Sequence, residues 1–178
     1  MQVAVLMARK PTQGANSRWV SHAWHLHDVV ANEPQFGDAP SLLSDEADTQ
    51  IWLHPKQTVE LFKDTAEGYY LNLTSTCPCF WVLWRVEDEA GLRASGSPAD
   101  TCIAYPEIVT LSYHDAGRWL DAQENVDQVP APAHVIAWMT AFTEEHHVLE
   151  EKRRKRPQSF LPLQDRFGSP ARVSTGKR

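Results

Sequence analysis

The sequence has little cysteine and little glycine, and both shortages exclude classes of protein. The three cysteines, Cys77, Cys79 and Cys102, are too few and too oddly numbered for the disulfide framework of a small secreted domain. The 8 glycines are scattered singly, so no glycine-rich loop is present to cradle the phosphates of a nucleotide. No other motif forms a complete active site. A non-catalytic protein is therefore favoured over an enzyme, although the residues alone leave that question open.

The sequence also lacks a long hydrophobic run. No segment approaches the roughly 20 apolar residues of a membrane-spanning helix. The apolar stretch 1–8 is short, and its cations, Arg9 and Lys10, follow it, whereas the cations of a signal peptide come first. These features predict a soluble, cytoplasmic protein that does not enter a membrane.

Cations are scarce over most of the chain and concentrated at its end. Residues 1–150 hold 8 Lys and Arg against 21 Asp and Glu, whereas residues 151–178 hold 9 against 2. This shift predicts one folded domain over 1–150 and a basic, disordered tail over 151–178. The acidic body would repel nucleic acid, so nucleic-acid binding is disfavoured and would fall to the tail. The alternatives to nucleic-acid binding are that the tail binds an acidic protein partner or neutralises the acidic surface of the body itself.

Aromatic and β-branched residues are plentiful, with 7 Trp among them, and their arrangement is typical of strands. Their patterns predict strands at 3–9, 18–30, 50–53, 58–63, 68–74, 80–86 and 108–111. Pro55 is expected to interrupt the chain between two of these, because proline removes a ladder donor from a paired strand. The segments 68–74 and 80–86 are predicted to form a hairpin. Both faces of 80–86 are apolar, so it is the predicted central strand. The segment 32–48 is expected to be a surface loop.

The C-terminal part of the chain changes to a helical period. Ser112 is a predicted N-cap for a helix over 113–123, and Pro130 and Pro132 introduce a second helix. The apolar stripe of that second helix consists of Val135, Trp138, Met139 and Phe142. The predicted fold class is α+β: a curved antiparallel sheet or partial barrel of about five to seven strands, with two C-terminal helices and a flexible basic tail.

Several short segments occur together in an order that resembles a known family. They are Arg18-Trp19 with Trp24, 59–62, 67–73, 108–110 leading to Tyr113, Asp115-Ala116, 119–121, and 129–132 through His146-His147 to the basic end. In order and spacing they resemble the bacterial domain-of-unknown-function family 3305, over about residues 3–157. The chain departs from the family pattern at 149–152, and the extension from Pro157 onward has no counterpart in it.

That resemblance implies a context and not a reaction, because the family has no assigned activity. Genes of this family tend to lie beside those for molybdenum- or tungsten-dependent formate dehydrogenases and their maturation factors. The resemblance therefore implies a cytoplasmic accessory protein that binds an oxidoreductase subunit or a maturation factor and needs no cofactor of its own. It leaves the oligomeric state open.

Two histidines and two cysteines suggest an alternative function, that of a small metal-binding protein or metalloenzyme. His25 and His27 share one face of a predicted strand, so both imidazoles can reach one ion, while His22 points to the other face. Cys77 and Cys79 would complete the site only if the fold brought them near. Strand histidines and turn cysteines without a metal are the simpler interpretation, so no metal ligand is assigned.

The sequence predicts a partner-binding surface in two parts. The first part is an aromatic patch, exposed unless loops cover that side of the sheet, and it consists of Trp19, Trp52 and Trp81. The second part is the basic run at the start of the tail, which consists of Lys152, Arg153, Arg154, Lys155 and Arg156. The alternative for this run is a solvated linker with no partner.

Overall fold

Two antiparallel sheets and three helices make up the part of the chain that the structure describes. It is a computed structural model and describes residues 1–12, 22–46, 49–86 and 103–148. Within these ranges the strands are β1 (Gln2–Pro11), β2 (His22–Ala31), β3 (Ser41–Glu46), β4 (Thr49–Thr58), β5 (Cys79–Val86), β6 (Ala104–Thr110) and β7 (Val126–Pro130). The helices are α1 (Ala66–Leu73), α2 (Tyr113–Asp121) and α3 (Ala133–His146), with 3-10 turns at Pro34–Phe36 and Lys63–Thr65. The predicted α+β class is confirmed, and the predicted tail 151–178 lies outside the described residues.

The two sheets adjoin along two pairs of strands. The first sheet has the order β2-β1-β4-β3 and the second the order β6-β5-β7, while β7 contacts β2 and β6 contacts β4. One carboxylate spans the first of these junctions. Oδ2 of Asp127 accepts hydrogen bonds from the Leu26 N–H at 2.9 Å and from Trp84 Nε1 at 3.1 Å. The described strands thus form two joined sheets, not a closed barrel, and both sheets contribute residues to the main apolar core.

Strand β1 shows how the sequence builds this core. Val3, Val5 and Met7 alternate along the strand and are each at most 1% exposed, so they supply one continuous apolar face. Ala4, between Val3 and Val5, and Ala8, after Met7, are small and are also fully buried. Burying a Val or Met side chain contributes about 1.5–3 kcal/mol. Because β1 also pairs along both of its edges, it anchors the first sheet.

The predicted strand at 68–74 is wrong, because most of these residues form α1. Tyr69 and Asn72, three positions apart, point into the interior with exposed fractions of 1% and 0%. The Tyr69 ring packs edge-on against Phe142 of α3, with 5.9 Å between the ring centroids. By their intrinsic propensity, aromatic residues favour strands. Here the packing of this segment against α3 outweighs that preference, and the segment is helical. The other predicted arm, 80–86, is confirmed as the central strand β5 of its sheet.

The predicted interruption at Pro55 is also wrong, because β4 continues through Pro55 to Thr58. The register of β4 shifts at this point, so that Pro55 and Lys56 together stand opposite Ala4 of β1. Such a β-bulge accommodates proline, since the extra residue need not donate to the ladder. Lys56 adopts a φ of 58° at the bulge. Beyond Thr58 the predicted strand 58–63 is replaced by irregular chain and the 3-10 turn Lys63–Thr65.

The sequence patterns did not predict strands β3 and β7. All positions of β3 are exposed or half-buried, so its sequence has no apolar face that would mark a strand. β7 is only 5 residues long and pairs with β5. Short edge strands of this kind show little alternation of apolar and polar residues. Their strand conformation depends instead on pairing with a neighbouring strand.

The two predicted C-terminal helices are confirmed as α2 and α3. Ser112 caps α2 as predicted, since its Oγ accepts a hydrogen bond from the Asp115 N–H at 3.3 Å. α3 begins directly after Pro132 and buries Val135 and Met139. No helix in the described ranges is long and apolar enough to cross a membrane.

Candidate functional site

The structure buries two of the three tryptophans that were predicted to form an exposed patch. Trp52 in β4 and Trp81 in β5 are each 6% exposed, and the two strands belong to different sheets. The prediction of an exposed patch is therefore wrong for these two side chains, because neighbouring residues cover them. Trp19 and the basic run 152–156 lie outside the described residues. The role of all these residues in partner binding stays a prediction.

Trp81 supports an aromatic ring that is itself exposed. Its Nε1 donates a hydrogen bond to Gln128 Oε1 at 3.1 Å, which fixes the indole. The Tyr113 ring, in the first turn of α2, packs on this indole with 5.8 Å between the ring centroids and an interplanar angle of 79°. Aromatic pairs prefer this edge-to-face geometry. Tyr113 nevertheless remains 52% exposed, so the pair presents one firmly held aromatic ring to solvent.

Tyr113 lines an open groove of about 590 Å³ between the 3-10 turn Lys63–Thr65 and α2. The groove lining includes Asp64, Thr65, Tyr113, His114, Arg118 and Asp121. An aromatic ring among polar side chains is typical of a surface that binds another protein. Small molecules are more often held in enclosed, largely apolar pockets.

Close helix packing fixes the walls of this groove. Gly68 of α1 lies so near the Ser112 side chain that a Cβ atom at position 68 would overlap with Ser112 Oγ. Glycine is required here because of this close approach. Ser112 also caps α2, so this contact packs α1 against the start of α2.

Asn72 connects this helix pair to the second sheet. Its Nδ2 donates to the carbonyl oxygens of Cys79 at 2.8 Å and Leu111 at 2.9 Å, and its Oδ1 accepts from the Cys79 N–H at 3.0 Å. Asn72 is fully buried, and a buried amide is stable only when its polar atoms are paired in this way. Asn72 therefore holds three parts of the chain together: α1, the start of β5, and the link between β6 and α2.

The groove carries two carboxylates that the described residues leave unpaired. The Asp115 carboxylate pairs with Arg118 and accepts a hydrogen bond from Thr110 Oγ1 at 3.1 Å. Asp64 and Asp121 have no ion pair or hydrogen bond from a side chain in the described ranges. Asp121 is moreover the last residue of α2, where a negative charge opposes the helix dipole. The groove thus presents negative charge to any ligand.

The histidines and cysteines of the metal hypothesis do not come together. His25 and His27 lie on β2, but a bulge there interrupts the alternation that would place both on one face. Cys77 is exposed and Cys79 buried, both as free thiols, and burial raises the pKa of Cys79 to about 11. Among the residues that the structure describes, no group of three or more His, Cys, Asp or Glu side chains is placed to hold a metal ion.

His54 is a buried titratable residue that the sequence patterns did not reveal. It is 3% exposed, and burial lowers its pKa to about 4 despite a hydrogen bond with the Ala104 backbone. Nε2 of His54 and Nε1 of Trp52 have no hydrogen-bond partner in the described part of the chain. The imidazole is therefore neutral at physiological pH and does not belong to the groove lining.

The fold and the groove define an α+β protein with an open, acidic and aromatic surface site. The chain belongs to the family described as "Protein of unknown function (DUF3305)", whose model matches residues 2–156. No curated protein and no solved structure matches it. The resemblance drawn from the short segments is thus confirmed at the level of the family. The segment 67–73 of that resemblance lies within α1 and holds Gly68, Tyr69 and Asn72, which fix the helix pair.

Proposed function

We propose that this chain is a non-catalytic, cytoplasmic accessory protein that binds a subunit or a maturation factor of a molybdenum- or tungsten-dependent formate dehydrogenase. The observation that supports a binding role is the Tyr113 ring, half exposed yet held by Trp81, in an acidic groove. Protein interfaces are enriched in aromatic residues. A ring that is already fixed loses little further entropy on binding.

The choice of partner comes from the family context. Genes of this family tend to lie beside those for such formate dehydrogenases and their maturation factors, which is an association by neighbourhood. The basic run 152–156 supplies a second contact of opposite charge to the groove. Complementary charges on the two partners increase the rate of encounter and the specificity of binding.

Affinity purification from the chain's own host tests this proposal. The tagged, full-length chain is recovered under native conditions, and the same eluate is analysed by mass spectrometry and elemental analysis. We expect a formate dehydrogenase subunit or one of its maturation factors to co-purify. Recovery of the chain without such a partner but with stoichiometric zinc or iron would contradict the proposal.

A charge-reversal pair tests the contribution of the basic run. We expect Arg153→Glu with Arg154→Glu to reduce partner recovery about tenfold, because two attractive charges become repulsive. The matched control, Lys177→Glu with Arg178→Glu, makes the same change in net charge further along the chain and should leave recovery near that of the wild type. Equal recovery with both variants would show that the run 152–156 is not a contact.

A further inference from the structure

We infer that the groove beside α2 binds a positively charged segment of the partner protein, with an arginine or lysine side chain lying over the Tyr113 ring. The inference rests on the proposed binding function and specifies the chemistry that the partner must present. Two observations carry it: the fixed aromatic ring and the unpaired carboxylates.

The Tyr113 ring is suited to a cationic side chain. Its contact with Trp81 is edge-to-face, and about half of the residue remains accessible to solvent, with 52% exposed. The face of an aromatic ring attracts a cation through the ring quadrupole. A guanidinium group in addition stacks flat on such a ring, which favours arginine over lysine.

The charges of the groove favour the same ligand. Asp64 and Asp121 both line it and lack ion-pair partners in the described part of the molecule. Asp121 adds its charge to the negative end of the α2 dipole. Tyr113 lies at the opposite end of α2, so one cation of the bound segment would lie over Tyr113 and a second would lie at Asp121, where it offsets the carboxylate and the dipole.

Other classes of ligand fit this groove less well. An acidic peptide or a nucleic acid would face the unpaired carboxylates. A metal ion needs several ligands at one point, and no such group occurs in the described ranges. A small apolar ligand needs an enclosed pocket, whereas this groove is open.

A binding titration with defined peptides tests the inference. The probe is a short, fluorescently labelled peptide of alternating arginine and serine, blocked at both ends, added to the full chain at low and at physiological ionic strength. Two further peptides of the same length replace every arginine with lysine or with glutamine. We expect the arginine peptide to bind most tightly and the glutamine peptide to show no measurable binding, with amide NMR shifts concentrated around Tyr113 and Asp121.

Two charge variants separate the groove from the general acidity of the body. Asp64→Asn with Asp121→Asn should weaken binding of the arginine peptide about three- to tenfold, because two exposed ion pairs are lost. The control, Asp45→Asn with Glu46→Gln, removes the same charge from the exposed edge strand β3. It should change the affinity by less than about twofold, because salt screens distant surface charges.

Substitutions of Tyr113 test the contribution of the aromatic ring. Tyr113→Ala should weaken binding of the arginine peptide about threefold, and Tyr113→Phe should retain it, because both Tyr and Phe present a ring face to the cation. Thermal unfolding of each variant verifies that it is folded. We expect Asp121→Asn to unfold at or above the wild-type temperature, since it removes a charge that opposes the helix dipole.

The outcomes distinguish this inference from the proposed function. Equal weakening by the groove pair and the β3 pair, or equal binding of the arginine and glutamine peptides, would overturn the inference. Co-purification of a formate dehydrogenase component would still support the proposed function in either case. Conversely, site-specific peptide binding with an unrelated co-purified partner would support cation binding by the groove and overturn the formate dehydrogenase assignment.

Discussion

At position 54 an imidazole occupies a buried place in β4 that would suit an apolar side chain. The pKa of His54 is lowered to about 4 from 6.5, chiefly by burial. Protonation therefore favours the unfolded chain, in which the imidazole takes up a proton more readily. The stability that the neutral His54 contributes is fully present above pH 6.5 and is lost as the pH falls towards 4.

We expect this one group to lower the free energy of unfolding by about 3 kcal/mol between pH 6.5 and pH 4. The measurement is urea unfolding of the wild type and of His54→Gln at several pH values in this range. The difference in stability between the two should shrink or change sign as the pH falls. His134→Gln, an exposed position on α3, is the control. A difference that is independent of pH would refute the role of His54.

Single residues also show where sequence patterns stop being informative. The strand faces of Trp52 and Trp81 follow from alternation, but their burial depends on what packs against each face, and that is set by distant segments. Tyr113 shows the same limit. Its place in the first turn after a predicted N-cap was evident, whereas its exposure and its contact with Trp81 appear only once β5 and α2 are packed.

At the scale of elements, the packing of α1 against the start of α2 depends on the close approach of Gly68 to Ser112. Gly68→Ala should lower the free energy of unfolding by about 1–3 kcal/mol, because the new methyl group overlaps with Ser112 Oγ. Gly117→Ala in α2 is the matched control, since a Cβ there meets nothing within 4 Å. It should stabilise the helix by about 0.5–1 kcal/mol. Chemical denaturation measures both, and an unchanged Gly68→Ala variant would show that α1 has room to shift.

The elements that sequence analysis identified are those whose own residues specify them. α2 has an N-cap at Ser112, α3 follows Pro132, and β5 is apolar on both faces, so each carries its signal locally. α1 was mistaken for a strand because the burial of Tyr69 and Asn72 against other elements, not propensity, makes it helical. The edge strand β3 lacks a buried face, and only its pairing with β4 defines it.

For the molecule as a whole, the junction between the sheets at β2 and β7 depends on Asp127. Asp127→Ala should lower the free energy of unfolding by about 2–4 kcal/mol, because the Leu26 N–H and Trp84 Nε1 both lose their acceptor. Asp38→Ala, which removes an exposed ion pair with Lys56, should cost less than about 1 kcal/mol. Equilibrium unfolding followed by tryptophan fluorescence compares the two. Similar losses for both variants would show that the junction does not depend on this carboxylate.

The hydrogen bonds of Asn72 have a consequence for the order in which the chain folds. α1 has 8 residues, too few to persist as an isolated helix. Cys79 pairs with part of the buried Asn72 amide, but the bond from Nδ2 to the Leu111 carbonyl forms only when Leu111, 39 positions further along, is in place. Contacts of such high sequence separation form slowly, because a long loop must close first. During synthesis from the N-terminus, α1 therefore remains undocked until Leu111 and the two helices that α1 contacts, α2 and α3, have left the ribosome.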